Sequence, residues 1–338
     1  MSQVLERVAP AAASEAKPVK ILNQIGLDLT NAVALPPQAV FRSASREETP
    51  WQVGDATILV TGPSSAWRGA PATPPQGWPF NLEWVQIASS GVDGFPDWLF
   101  DVPQVTTGRG VTAEAIADYV LAAILDDVKN LPLRQAHGPE DYASPDVLKP
   151  LGTLDGKVLG LAGFGAIGGA VAKRAKAFGL ELRVCRKSRQ AELPGIASVD
   201  SLPDLLAASD IVVLALPLDD ETRFCVDQRA LSRANPGLHL INVARGGLID
   251  QEALIEALSS GIVRLATLDV TEPEPLPAGH AFYSHPSIRL TPHIAWSGGQ
   301  GREPLAALIA GNIRSFLAGE PLVNCIESPS RIPEQSRL

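Results

Sequence analysis

The chain has 338 residues, 45% of them hydrophobic and 19% charged, which is enough apolar mass for two domains and too much for a disordered protein. A formal net charge of -9 speaks against a general nucleic-acid binder, because phosphate contacts draw on a basic surface. No apolar run reaches the roughly eighteen residues of a membrane span, and the three scattered cysteines, Cys185, Cys225 and Cys325, form no metal-ligand cluster, so a cytoplasmic protein with reduced thiols is expected.

Residues 1–17, rich in Ala, Ser and Glu, lack the basic start and apolar stretch of a secretory signal and read as a loose tail, as do residues 329–338. Short β-type runs follow at Val19–Asn23, 57–61, 84–88 and 102–106. Between them, residues 62–79 carry five prolines and two tryptophans and are expected to form a loop rather than a helix. This spacing predicts a small α/β domain with a mostly parallel sheet. A long helix is predicted over Ala113–Lys129, with Thr112 as its cap and Glu114 in the first turn, where the helix dipole favours an acid. Its apolar face (Ile116, Val120, Ile124 and Val128, flanked by Ala117, Leu121 and Leu125) is wide enough for burial, whether the helix links two domains or fills one core.

A second block alternates strands at 157–162, Glu181–Cys185, 210–215, 238–243, 264–268 and 287–290 with helices at 167–178, 202–208 and Gln251–Ser259. Repeated strand–helix–strand units give a doubly wound parallel sheet. A final helix over 303–318 is expected to return to the first domain, so the expected domains are 1–110 with 300–338, and 111–299.

The segment from Val158 to Gly168 places Gly163, Gly165 and Gly168 in a G-x-G-x-x-G pattern between a predicted strand and a predicted helix, the context a dinucleotide site requires. The backbone of Gly163, Gly165, Ala166, Ile167 and Gly168 would then approach a pyrophosphate at the helix N-terminus. An NAD-binding chain usually carries an acid about twenty residues further on, for the ribose 2′-hydroxyl. Here stand Arg186, Lys187, Ser188 and Arg189 instead, groups that suit a 2′-phosphate. NADP(H) is the expected cofactor, with NAD(H) the alternative if these are only surface charges.

Three further segments lie at the C-terminal ends of predicted strands, the ligand edge of an open α/β sheet. They contain Arg245 (Asn-Val-Ala-Arg-Gly-Gly), Asp269 with Glu272 and Glu274 (Leu-Asp-Val-Thr-Glu-Pro-Glu-Pro), and His293 (Thr-Pro-His-Ile-Ala-Trp). Reducing a 2-oxo acid builds negative charge on the carbonyl oxygen, and a histidine held by a carboxylate can deliver the proton there. An arginine can grip the substrate carboxylate and polarise the carbonyl. Glu272 and Glu274 are too close in sequence to be told apart by pattern alone, and Trp296 either lines a substrate pocket or fills core. The other histidines, His137, His239, His280 and His285, are assigned structural roles.

In these motifs, from about Val19 to Ile326 and most densely from Leu154 to Trp296, the chain resembles the D-isomer-specific 2-hydroxyacid dehydrogenases. The resemblance implies two doubly wound parallel-sheet domains, a flavodoxin-like substrate domain and a Rossmann cofactor domain, with a cleft between them. It assigns catalysis to Arg245, Glu274 and His293, and places Asp269 near the nicotinamide carboxamide. Ser90, Gly91 and Val92 match a loop whose backbone N–H groups hold the substrate carboxylate. Leu216, Pro217 and Thr222, with Val243 and Ala244 beside Arg245, match further cofactor contacts. It also implies a D-product and a homodimer, with glyoxylate and hydroxypyruvate as the expected substrates and no metal. The chain ends soon after its last helix, so no regulatory extension of the kind found in long phosphoglycerate dehydrogenases is expected. The alternatives are an NAD-dependent dehydrogenase working oxidatively and a nucleotide-sensing, corepressor-like binding protein.

Overall fold

A computed structural model of the chain describes residues 18–29, 39–187, 193–298 and 302–326. They form two compact units, one drawn from Met1–Arg109 with Arg302–Leu338, the other from Gly110–Gly301.

The first unit holds five parallel strands: β1 (Val19–Asn23), β2 (Ala39–Ser43), β3 (Ile58–Thr61), β4 (Trp84–Ile87) and β5 (Gln104–Thr106), in the order β2-β1-β3-β4-β5. This is the order of flavodoxin-like doubly wound sheets. Successive residues of a strand point to opposite faces, and both faces are covered here. Ile21, Ile58, Val60 and Trp84 pack with Ile309 and Ile313 of the helix Arg302–Ala318. Leu22, Leu59, Val85 and Ile87 pack with Trp67, Phe95 and Trp98. Two-sided burial explains why β3, paired on both sides within the sheet, reads as a nearly unbroken apolar run.

Two features of this unit differ from expectation. Residues 62–79 are not all loop, since Ser65–Arg68 form a short helix. The Ser64 hydroxyl caps it by accepting the Trp67 N–H at 3.2 Å, and Trp67 is buried in the core. Pro63 and Pro71 lie outside this single turn, so neither interrupts it. Strand β2 was not expected at all; it is an edge strand of partly exposed residues and lacks the apolar run that marks its neighbours.

The second unit holds seven parallel strands: β6 (Val158–Ala162), β7 (Glu181–Cys185), β8 (Ala197–Ser198), β9 (Ile211–Leu214), β10 (Leu238–Asn242), β11 (Val263–Leu268) and β12 (Ile288–Leu290). Their order is β12-β11-β10-β9-β6-β7-β8, a Rossmann arrangement. One face packs on the helices Ala113–Lys129 and Ala166–Ala177, the other on Leu202–Ala207, Gln228–Leu231 and Gln251–Ser259. Ser201 and Asp250 cap their helices, accepting the N–H groups of Asp204 and of Glu252 and Ala253. Thr112 stands at the N-cap position of the Ala113–Lys129 helix as expected, its carbonyl accepting the Ile116 N–H at 3.0 Å, but its hydroxyl makes no cap bond. The strand order reverses between β6 and β9, and in such sheets ligands sit beyond the strand ends at that reversal.

Candidate active site

The glycine turn occupies that reversal. Gly163 follows β6 at φ +95, and a Cβ on it would lie 2.5 Å from the Ala215 carbonyl oxygen beyond β9. A Cβ on Gly168 would lie 2.4 Å from the Gly163 carbonyl oxygen. These two close approaches require glycine and form a cradle that side chains would fill. Gly165 starts the Ala166–Ala177 helix with no side-chain cap, leaving first-turn N–H groups for an anion. The geometry fits a dinucleotide pyrophosphate on Gly163, Gly165, Ala166, Ile167 and Gly168. Beyond β7, Lys187 forms an ion pair with Glu221 at 2.5 Å and approaches Asp219 at 3.5 Å. Arg186 is partly buried, and Ser188 and Arg189 lie outside the described residues.

The loop after β9 is closed by its own side chains. The Thr222 hydroxyl donates to the Pro217 carbonyl at 2.8 Å and accepts the Asp219 N–H at 2.8 Å. Thr222 therefore shapes the Leu216–Pro217 turn. Val243 and Ala244 are buried just past β10, where the Asn242 side chain accepts the Ala244 N–H at 3.0 Å and donates to the Arg245 carbonyl at 2.8 Å. Asn242 thus folds the backbone that presents Arg245.

Glu274 and His293 meet directly, with Oε1 and Nδ1 2.6 Å apart and both side chains 40% exposed. This separates the two neighbouring glutamates, because Glu272 pairs instead with Arg223 at 2.8 Å. The hydrogen bond to Glu274 holds the His293 imidazole above its ordinary pKa of 6.5, with partial burial and the Arg245 charge opposing. Burial alone would push the Glu274 carboxyl up, but the bond from His293, its charge and the Arg245 charge bring it below its usual value. Arg245 therefore acts electrostatically on both members of the pair. With Nδ1 on Glu274, Nε2 is the ring nitrogen left to face a substrate.

His293 sits at φ 54, a left-handed conformation that costs a non-glycine residue roughly 1–2 kcal/mol. Asp269 holds the loop that imposes it. This buried carboxylate accepts the N–H groups of Ile294 at 2.8 Å and Ala295 at 2.9 Å and the Thr291 hydroxyl at 2.7 Å, while its carbonyl accepts the His293 N–H at 2.9 Å. Because the Thr291 proton goes to Asp269, Tyr119, 2.7 Å from the same oxygen, must be the donor there. No local sequence pattern marks the Tyr119–Thr291–Asp269 chain, whose members lie far apart along the sequence. Asp269 thus has a loop-building part in addition to the nicotinamide role expected of it.

Trp296 is 54% exposed and its indole N–H donates to the His293 carbonyl at 2.8 Å, which excludes the core reading. His239 is fully buried between Asp127 and Thr267, and His280 and His285 accept local backbone N–H bonds, all structural placements. Within the first unit, Ser90, Gly91 and Val92 follow β4 at its C-terminal end. Ser89 bonds the Gly91 carbonyl at 2.7 Å, and among the described residues neither the Gly91 nor the Val92 N–H has an acceptor. No group of His, Cys, Asp and Glu among the described residues could hold a metal, and none of their helices is long and apolar enough to cross a membrane.

Residues 121–295 match the family profile of the D-isomer specific 2-hydroxyacid dehydrogenase, NAD binding domain. A curated relative, 4-methyl-2-oxopentanoate reductase A of Aspergillus oryzae, is 36% identical over 211 residues, 61% of this chain and 62% of that protein. The glyoxylate reductase of Pyrococcus furiosus is 40% identical over 169 residues, 49% of this chain and 50% of its own length. The chain thus spans about half to three-fifths of the length of these curated relatives. Among solved structures, a D-isomer specific 2-hydroxyacid dehydrogenase from Xanthobacter autotrophicus Py2, in complex with NADPH and MES, superposes with a TM-score of 0.73 at 29% identity, covering 93% of this chain and 99% of that one.

Proposed function

The chain belongs to the D-isomer specific 2-hydroxyacid dehydrogenase family, and on that premise we propose that it reduces a small 2-oxo acid to the D-2-hydroxy acid with NADPH. The observation that carries this reading is the Glu274–His293 pair at 2.6 Å beside Arg245, on the strand edge where the glycine cradle also lies. Glyoxylate and hydroxypyruvate are the proposed substrates. The relatives named for glyoxylate and 4-methyl-2-oxopentanoate support a 2-oxo acid, as does the NADPH complex of the Xanthobacter protein for the cofactor.

Bound NADPH would supply the hydride. The chain's own residues do the rest. Arg245 grips the substrate carboxylate and polarises the carbonyl. For the N–H groups of Gly91 and Val92, and for Trp296, we propose substrate-binding roles. His293 holds a proton on Nε2 and releases it to the carbonyl oxygen as negative charge develops there. Glu274 fixes the ring through Nδ1 and favours its charged form.

The protonation sign follows from the raised His293 value. A proton donor works when protonated, so reduction is fast below the His293 pKa and falls as pH rises through it. The fall therefore comes above the ordinary histidine range. In Glu274→Gln the charge that raises the imidazole is lost, and the fall moves to lower pH. Profiles of kcat/KM for both proteins from about pH 5 to 10 test this. An unmoved midpoint in the variant would remove the pair from the mechanism.

A further inference from the structure

The positive segment assigned to the cofactor's 2′-phosphate does not stand alone. Lys187 extends from the end of β7, and Asp219 and Glu221 lie in the loop after β9. Strand β6 separates those two strands in the sheet, so the 2.5 Å Lys187–Glu221 pair and the 3.5 Å Lys187–Asp219 approach bridge across its C-terminal end, beside the Gly163 turn. The same loop also carries Asp220, and Asp219 and Glu221 are the two of its carboxylates that face Lys187.

The Asp219 carboxylate is placed by folded backbone. Asp219 Oδ1 accepts the N–H groups of Glu221 at 3.0 Å and Thr222 at 2.8 Å, and the Thr222 hydroxyl closes the turn onto Pro217. Asp219 Oδ2 is the oxygen turned to Lys187. The Glu221 side chain is 73% exposed and carries the shorter of the two contacts to Lys187.

We propose that Glu221 and Asp219 are specificity-determining residues that restrain discrimination between a phosphorylated and an unphosphorylated adenosine ribose. This inference rests on the nucleotide site proposed above. A 2′-phosphate brings close to two negative charges at neutral pH and must draw Lys187 away from two carboxylates. The neutral 2′-hydroxyl meets no such repulsion. The acidic loop thus offsets part of the advantage that the basic segment gives to NADPH, and the offset is screened by salt.

The test is calorimetric binding of 2′,5′-ADP and of 5′-AMP to the full chain and to its Glu221→Gln variant, which keeps side-chain shape and leaves the Asp219 loop bonds in place. Glu221→Gln is expected to bind 2′,5′-ADP about threefold to fivefold more tightly at low salt, with 5′-AMP unchanged and the gain reduced at high salt. Adding Lys187→Met to Glu221→Gln abolishes the gain. Equal changes for both probes, or none for either, overturn the proposal. Failure of both probes to bind the unaltered protein instead overturns the nucleotide site itself.

Discussion

His293→Asn lowers kcat for 2-oxo acid reduction by about 10²–10⁴-fold, the usual effect of losing a positioned proton donor. Asparagine is the informative replacement because it tolerates the left-handed backbone that His293 adopts at φ 54. The bonds from Ile294 and Ala295 to Asp269 can therefore persist, and the loss falls on the proton rather than on the loop. NADPH affinity, read by fluorescence titration, should stay within about twofold, since the variant removes an interaction realised chiefly in the transition state. Turnover near that of the unaltered protein would show that His293 is not the donor.

Gly246→Ala should cripple the site from a position that carries no chemistry. A Cβ there would lie 2.0 Å from the Thr271 carbonyl carbon, 2.3 Å from its oxygen and 2.5 Å from the Glu272 nitrogen. All three are backbone atoms, so no side-chain rotation relieves the clash. The strand-end turn carrying Arg245 and the segment leading to Glu274 must move apart, and the 2.6 Å contact with His293 moves with them. Overpacking of this kind costs about 1–3 kcal/mol of stability, and a displacement near 1 Å costs about 10²-fold in rate. Thermal unfolding and steady-state kinetics measure the two effects separately. Gly169→Ala is the matched control, because a Cβ at Gly169 meets nothing within 4 Å. If Gly246→Ala kept full activity, the segment 271–274 would have no part in setting the pair.

Much of this architecture can be read from residue order. Strands β3 and β9 are buried on both faces and appear as short apolar runs, which pattern reading detects. The edge strands β2 and β8 bury little and leave no such trace. The glycine turn, Arg245 and His293 announce themselves because the chemistry demands those residue types beside strand ends. What separates Glu274 from Glu272 is a partner 49 positions from Glu272, Arg223, and no local pattern encodes it. Tyr119 reaches Thr291 across 172 positions, and the carboxylates opposing Lys187 lie 32 and 34 positions beyond it. Such pairings exist only once the sheet has brought strand ends together. The basic segment read by itself carries the proposal of a 2′-phosphate site, and the acidic loop proposed to oppose it comes into view only in the folded chain.

Oxidation of NADPH, followed by absorbance, with the unaltered protein and glyoxylate, hydroxypyruvate, pyruvate or phenylpyruvate tests the central claim most directly. The proposed function predicts rapid oxidation with at least one of the small oxo acids, and slower oxidation when NADH replaces NADPH. No oxidation of either cofactor with any of the four would contradict it, and would leave the Glu274–His293 pair without the reaction assigned to it.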